Sequence, residues 1–248
     1  MWGAQMFSDD DLLRYHRQLI IDGWGVQGQE KLKRSVVFVA GAGGLGCAAM
    51  IYLACAGVGT LRICDCDIVE LSNLNRQFLH SHRDIGLSKV VSAETALYRV
   101  NPKTTVFTLN RRIDRSSAKT LIRGTDLILD CLDNWETRFV LNEAAVSLRI
   151  PMIHAGVSGF RGNLAFLSPP ETPCLACFCR HPPPQSIPPI VGCTAGTLGA
   201  IQATEALKFL TGVGRVLKNH LLFFDGIHMK LEEMELRKDP DCPVCGKM

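Results

Sequence analysis

The stretch VVFVAGAGGLGCAAM, residues 36–50, determines the fold class of this chain. Five apolar residues lead into a cluster of four glycines, Gly41, Gly43, Gly44 and Gly46, and an apolar pattern then resumes. A buried strand, a tight turn and a buried helix produce this pattern. In nucleotide-binding proteins such a turn lets backbone N–H groups approach phosphates at the helix N-terminus. A purely structural turn is the alternative, and the rest of the chain decides between the two.

Apolar runs and helical patterns alternate on both sides of this stretch. Strand-like runs at 35–40, 60–64, 104–109, 126–130 and 151–155 alternate with helical patterns near 46–56, 88–100, 116–123 and 136–148. An amphipathic helix from about Asp9 precedes them. Alternation of this kind predicts an α/β fold with a Rossmann-like, mostly parallel sheet and helices on both faces.

The pattern changes after Gly156. A strand-like run GNLAFLSP, a Pro-rich stretch HPPPQSIPP, a long small-residue helix near 194–210 and two strand-like runs, LLFFDG and HMKLEEMEL, follow in order. We interpret them as antiparallel additions to the same sheet, with the Pro-rich stretch as a loop. The chain is therefore expected to be one domain over 1–248. It comprises a helical segment at 1–34, a nucleotide-binding part at 35–155 and a metal-containing part at 156–248.

The composition limits the classes of function. A formal charge of +3 with 21% charged residues gives no basic field for nucleic acid. The acidic N-terminus is unlike a signal peptide, so we expect a cytoplasmic protein. The uncharged stretch 36–61 is long enough to span a bilayer, but six glycines interrupt it, which favours buried elements over a membrane helix. Eleven cysteines without a secretion signal favour reduced thiols and a metal site.

Polar residues follow the predicted strands at the edge where open α/β sheets bind ligands. Asp65 lies nineteen residues after Gly46, where the dinucleotide fingerprint places the acid that binds ribose hydroxyls. The next segment, CDCDIVELSNLNRQFLH, supplies Asn73 and Arg76, and the arginine can pair with phosphate oxygens. Lys89 opens the following helical pattern. An NAD enzyme explains the glycines and Asp65 but not this amide-rich and cationic loop.

Asp133 follows the fourth strand in LILDCLDNWETRF. At that edge its carboxylate can hold Mg²⁺ on ATP phosphates. It can also cap the helix that begins near Asn134, which aspartate does well. Both roles stay open at this point.

Two C-x-x-C pairs supply four thiolates: Cys174, Cys177, Cys242 and Cys245. Four thiolates form a closed tetrahedral zinc site, so we expect a structural Zn²⁺ that attaches the C-terminal tail to the sheet. A redox pair is the alternative. Five of the remaining seven cysteines, Cys47, Cys55, Cys64, Cys66 and Cys131, are interpreted as small core residues.

With these residues assembled, the chain resembles the E1-like adenylyltransferases. That superfamily includes the molybdopterin-synthase and thiazole-pathway adenylyltransferases and the ubiquitin-activating enzymes. The matching segments cover nearly the whole chain in the family's order: LRYHRQ, GAGGLG, CDCDIVELSNLNRQ, GLSK, DCLDN, CLAC, TLGAIQATEALKFLTG, LFFDG and CPVC.

The resemblance implies an enzyme that uses Mg²⁺ and ATP to adenylate the C-terminal glycine of a ubiquitin-like sulfur carrier ending in Gly-Gly, with release of pyrophosphate. It implies a homodimer in which Arg17 reaches the partner subunit's ATP. Some relatives use a cysteine in the crossover loop, but 182–191 contains none, and Cys179 or Cys193 could substitute. The remaining roles follow position by position: Gly41, Gly43, Gly44 and Gly46 form the phosphate turn, Asp65 binds ribose, Asn73, Arg76 and Lys89 bind phosphates, and Asp133 binds magnesium.

Other functions remain open alongside this one. An NAD-linked oxidoreductase predicts NAD(H) binding without pyrophosphate release. A non-catalytic carrier-binding scaffold would keep the fold and zinc without turnover. A related dehydratase acting on modified tRNA is disfavoured by the lack of surplus basic charge.

Overall fold

The computed structural model describes residues 7–180 and 189–248, so most of the Pro-rich stretch expected as a loop lies outside the described residues. In the described part, eight strands form one sheet in the order β3-β2-β1-β4-β5-β6-β7-β8. The strands are β1 (Val36–Ala40), β2 (Thr60–Cys64), β3 (Thr105–Leu109), β4 (Leu127–Asp130), β5 (Met152–Ser158), β6 (Arg161–Leu167), β7 (His220–Asp225) and β8 (Lys230–Glu235).

The first five strands are parallel, and β6, β7 and β8 continue the sheet beyond β5, each antiparallel to the strand before it. Both parts of the predicted architecture are therefore confirmed. Strand order reverses between β1 and β4, and open α/β sheets bind ligands at such a switch point. The candidate site is expected at the carboxyl ends of these two strands.

Helices cover the sheet between the strands. They are α1 (Asp9–Leu19), α2 (Gly25–Arg34), α3 (Gly44–Ala56), α4 (Lys89–Val100), α5 (Ala118–Ile122), α6 (Trp135–Leu148), α7 (Leu175–Phe178) and α8 (Gly192–Thr211). The sequence did not predict α2, and α3 begins two residues before its predicted start. None of these helices, within 7–180 and 189–248, is long and apolar enough to cross a membrane.

The central parallel strands β1 and β4 are buried on both faces, as their apolar runs predict, whereas the edge strand β3 is partly exposed. Val37 and Val39 of β1 pack into the cluster under α3, α4 and α8. Phe38, between them, packs into the opposite cluster under α5, α6 and α7. Replacing the fully buried Phe38 by alanine is expected to cost about 3–5 kcal/mol. The uncharged stretch 36–61 is thus divided among β1, α3 and the start of β2 rather than forming one long helix.

Two sets of positions that were predicted to be buried are exposed in the structure. Cys55 and Cys66 are exposed rather than in the core, because Cys55 lies on the outer side of α3 and Cys66 lies in the loop after β2. On α1 only Tyr15 of the predicted apolar face is buried, and Leu13 is 80% exposed. Helix α1 is anchored instead by the buried carboxylate of Asp11, which accepts a hydrogen bond from Lys103 Nζ at 2.7 Å.

Candidate nucleotide site

The glycine turn joins the end of β1 to the start of α3. Gly41 has φ +98°, a conformation that favours glycine, and a Cβ at this position would lie 2.8 Å from the carbonyl oxygen of Cys131 at the end of β4. A Cβ at Gly46 would lie 2.1 Å from the Gly41 carbonyl oxygen. These two glycines therefore let the turn fold tightly against the tip of β4, as the fingerprint requires.

The other two glycines face the next segment. A Cβ at Gly44 would lie 3.6 Å from Arg76 Cγ, and one at Gly43 would lie 3.7 Å from Gln77 Nε2. The structure therefore brings Arg76 to the first turn of α3, where unpaired N–H groups and the helix dipole favour an anion. The side-chain oxygen of Gln77 is buried beside the turn and accepts no hydrogen bond from the described residues.

Asp65 follows β2 and is bonded to the glycine turn. Its Oδ2 accepts a hydrogen bond from the Ala42 amide at 2.8 Å, and its Oδ1 accepts one from the Asp67 amide at 2.8 Å. Burial raises the pKa of this carboxyl group, while Lys89 and the two amides oppose that shift. An ionised carboxylate has about four acceptor sites, so two remain for ribose hydroxyls.

Lys89 and Asn73 line the same cavity of about 400 Å³, which also contacts Cys66, Asp67, Ile68 and Glu70. The Lys89 side chain is only 8% exposed, and its Nζ lies 2.7 Å from Asp67 Oδ2. Asn73 is also buried, and its Oδ1 accepts a hydrogen bond from the Glu70 amide at 3.0 Å. A nearly buried ammonium group whose partner carboxylate is exposed to solvent can also form an ion pair with a phosphate.

Arg76 is held by its own loop. Its Nη1 donates to the Ser72 carbonyl oxygen at 2.9 Å and to Asn75 Oδ1 at 2.8 Å. The Arg76 backbone also packs against α8, since a Cβ at Gly192 would lie 3.3 Å from Arg76 Cα. These contacts hold the Arg76 guanidinium against its own loop and its backbone against α8, beside the glycine turn.

Asp133 is exposed just beyond β4, and the structure tests one of its two predicted local roles, that of the helix cap. Asn134 is the residue that caps α6, because its Oδ1 accepts the Thr137 amide hydrogen bond at 2.9 Å. The capping alternative for Asp133 was therefore wrong, and its carboxylate is available at the ligand edge of the sheet.

A buried polar cluster behind Asp133 was missed by sequence reasoning. Asp130 Oδ2 lies 2.7 Å from His154 Nδ1, and Arg138 Nε lies 3.7 Å from Asp130 Oδ1. Burial raises the pKa of Asp130, but Arg138 and His154 outweigh it and the net shift is downward. Burial lowers the pKa of His154. Asp130 is therefore ionised and accepts the His154 Nδ1 hydrogen, while Arg138 also donates to the Leu132 carbonyl next to Asp133.

A larger cavity of about 1000 Å³ begins at the first turn of α6 and extends toward the C-terminal tail. Its basic residues already have acidic partners: Arg115 lies 2.8 Å from Glu143, and Arg112 lies 4.0 Å from Glu136. None of the glycine turn, Asp65, Arg76 or Lys89 lines this cavity, so it lies apart from the predicted phosphate site.

The four predicted zinc ligands converge, although the two pairs are far apart in sequence. The Sγ atoms of Cys174, Cys177, Cys242 and Cys245 all lie within 4.8 Å of one another. Cys174 to Cys242 is 3.6 Å and Cys177 to Cys245 is 3.4 Å. A tetrahedral zinc with Zn–S bonds of about 2.3 Å needs sulfurs roughly 3.8 Å apart. Burial raises the pKa of Cys174 and Cys245, whereas backbone amides and the neighbouring thiols outweigh burial and lower the pKa of Cys242. The cluster therefore fits a metal ion.

Arg17 is exposed on α1. Within the described ranges, no hydrogen bond or ion pair joins Arg17 to the candidate site residues at the carboxyl ends of the strands in its own chain. Cys179 is half-buried after α7, and Cys193 is exposed in the first turn of α8.

These features define an α/β protein with a mostly parallel sheet and a tight glycine turn at the sheet's switch point. The chain belongs to the ThiF family, whose model matches residues 15–244.

Two curated relatives and one solved structure illustrate the likeness. The Drosophila yakuba "Adenylyltransferase and sulfurtransferase MOCS3" is 42% identical over 246 residues, which cover 96% of this chain and 54% of that protein. The chain thus spans about half the length of these MOCS3 relatives. The Haloferax volcanii "SAMP-activating enzyme E1" is 41% identical over 240 residues, covering 94% of this chain and 88% of that protein. A structure of Escherichia coli MccB with ATP has a TM-score of 0.86 at 24% identity, covering 94% of this chain and 74% of that one, and shows the shared fold.

Proposed function

We propose that this chain is an ATP-dependent adenylyltransferase that activates the C-terminal glycine of a small ubiquitin-like sulfur-carrier protein. Its products are the acyl-adenylate and pyrophosphate. Membership of the ThiF family supports the proposal, as does 41–42% identity to relatives named an adenylyltransferase and an activating enzyme.

The observation that carries the proposal is the position of Arg76 beside the glycine turn, with its Cγ 3.6 Å from the Cβ position of Gly44. In the proposed reaction a carboxylate oxygen of the carrier attacks the α-phosphorus of ATP. The bond from that phosphorus to the β-bridging oxygen breaks, and pyrophosphate leaves with the electron pair. The nucleophile is already ionised at neutral pH, so no protein base is needed. Charge neutralisation and in-line positioning are needed, and Arg76 and Lys89 can provide both.

Asp133 is the proposed ligand for Mg²⁺. The ion, when bound with ATP, supplies positive charge that offsets the triphosphate. Asp133 suits this role because it is exposed beyond the tip of β4 and Asn134 performs the capping function.

We further propose a homodimer in which Arg17 completes the partner subunit's site. The exposed position of Arg17 on α1 supports this assignment, because its charge serves no described contact within its own chain. Zinc is the proposed metal of the four-cysteine cluster. Four thiolates leave no open coordination position, so its role is structural.

Carrier-dependent pyrophosphate release tests the proposal. Purified protein is mixed with ATP, Mg²⁺ and candidate carriers ending in Gly-Gly, and each carrier is compared with a version lacking those two residues. We expect release only with an intact carrier, together with an AMP adduct on its C-terminus. Tight NAD(H) binding without release would favour an oxidoreductase. Carrier binding without release would favour a scaffold.

A further inference from the structure

His80 links three parts of the candidate nucleotide site. It is 5% exposed and lies four residues after Arg76 in the same loop. Its Nε2 lies 3.1 Å from the carbonyl oxygen of Ala42 in the glycine turn. Its Nδ1 lies 2.9 Å from Ser92 Oγ on α4, the helix that begins with Lys89.

The hydrogen-bond partners define which nitrogen carries the hydrogen. A carbonyl oxygen can only accept, so Nε2 must donate to Ala42. Burial lowers the pKa of His80, which favours the neutral ring and leaves Nδ1 as the acceptor for the Ser92 hydroxyl. The Asp84 carboxylate also faces the Ser92 hydroxyl, but that hydroxyl has one hydrogen, which it donates to His80 Nδ1 when the ring is neutral.

Holding the Ala42 carbonyl has a direct consequence for the turn. The Ala42–Gly43 peptide is planar and trans, so its N–H points opposite to its carbonyl. A fixed Ala42 carbonyl therefore fixes the direction of the Gly43 N–H. The preceding peptide is fixed as well, because the Ala42 N–H donates to Asp65 Oδ2 at 2.8 Å. Both peptide planes that flank Ala42 are thus held before any nucleotide binds.

We propose that His80 is a positioning residue that orients the phosphate-binding amides of the glycine turn and couples the turn to the Lys89 helix. This inference rests on the proposed function in so far as the turn binds ATP. It does not require that a carrier be adenylated.

Two substitutions at His80 test the hydrogen bond to the Ala42 carbonyl separately from the other contacts of the ring. In H80Q the amide nitrogen can occupy the position of Nε2 and keep that hydrogen bond, whereas in H80N the shorter side chain reaches only the position of Nδ1. The affinity for a non-hydrolysable ATP analogue is measured by calorimetry, with thermal unfolding to confirm folding. We expect H80Q to bind within about threefold of wild type and H80N to bind about tenfold more weakly, the loss for one hydrogen bond of about 1.4 kcal/mol. Equal affinities for folded H80Q and H80N would overturn the proposal.

A second measurement does not depend on the variants folding. NMR of the wild-type protein with isotope-labelled histidine reports which ring nitrogen of His80 is protonated. We expect a neutral ring with its hydrogen on Nε2, and a hydrogen on Nδ1 would overturn the proposal. Wild-type protein that binds the analogue but shows no carrier-dependent pyrophosphate release would contradict the proposed function alone, leaving the His80 comparison intact.

Discussion

Asp133 and Asn134 are neighbours at the tip of β4, but only Asn134 caps helix α6, through a 2.9 Å hydrogen bond from the Thr137 amide. One side chain is a carboxylate and the other an amide, and only the amide of Asn134 is bonded to the start of the helix. This relationship allows catalysis and stability to be tested at adjacent positions.

We expect D133N to keep wild-type stability. Its rate of ATP–pyrophosphate exchange should fall by about 100-fold or more, because the carboxylate proposed to bind magnesium is removed. N134A is expected to lower the free energy of unfolding by about 1 kcal/mol, the usual cost of losing an N-cap. Urea unfolding and exchange rates measured on both variants check the prediction. A D133N protein with near-normal exchange would remove Asp133 from the site.

The cysteine cluster gives a second prediction. Metal analysis is expected to return about one zinc per chain. C245S should lose the metal and unfold at lower temperature, because the C-terminal tail is then no longer attached to α7. C55S is the matched control, since Cys55 is exposed and outside the cluster. Fully stable wild-type protein without metal, or zinc retained by C245S at full occupancy, would contradict the assignment.

The buried carboxylate of Asp11, which anchors α1, makes the free energy of unfolding depend on pH. Burial raises the pKa of Asp11, but hydrogen bonds from Lys103 and Ser8 and the charge of Lys33 lower it to about 2. The folded protein therefore binds this proton less readily than the unfolded chain, whose pKa is near 3.8. The resulting stabilisation is present above pH 4 and is lost as the pH falls from about 4 to about 2.

We expect D11N to lower the free energy of unfolding at pH 7 by about 1–2 kcal/mol, a range reduced for the solvent exposure of the two lysines. The deficit should shrink at pH 3. D10N, an exposed neighbour on α1, should change stability little at either pH. Urea titrations at both values measure the effect, and an equal deficit for D11N at pH 7 and pH 3 would contradict the ion-pair account.

Arg17 is tested by mixing subunits. R17A and D133A chains are each expected to be inactive as homodimers. A mixed dimer contains one site with both defects and one with neither, so about half of the activity per dimer should return. Differently tagged chains allow the mixed dimers to be purified and confirmed. Confirmed mixed dimers without recovered activity would refute the shared site.

The sequence was sufficient to predict the sheet because its strands are locally encoded. The central strands β1 and β4 are nearly continuous apolar runs, so their ends were predicted within one residue of their observed positions. Helix α2 was missed because its buried face depends on a polar residue. Gln29 is fully buried and donates to the Ala56 carbonyl at 2.7 Å, a contact that no hydrophobic period reveals.

The candidate site was predictable only where its residues fall in short motifs. Arg76 and Lys89 were identified from such motifs, whereas Arg138 and His154 were not. His154 lies inside an apolar strand 24 residues from Asp130, and its role depends on the β4–β5 register that pairs them. Likewise, only the folded chain brings His80 within 3.1 Å of Ala42.

ATP–pyrophosphate exchange with a Gly-Gly carrier tests the central claim most directly, with wild-type and R76A proteins measured side by side. Wild-type protein should incorporate labelled pyrophosphate into ATP only when the intact carrier is present. R76A should remain folded and lose at least about 100-fold of that rate. Exchange by R76A at the wild-type rate would contradict the account. So would a wild-type protein that binds NAD(H) and shows no pyrophosphate exchange with any carrier tested.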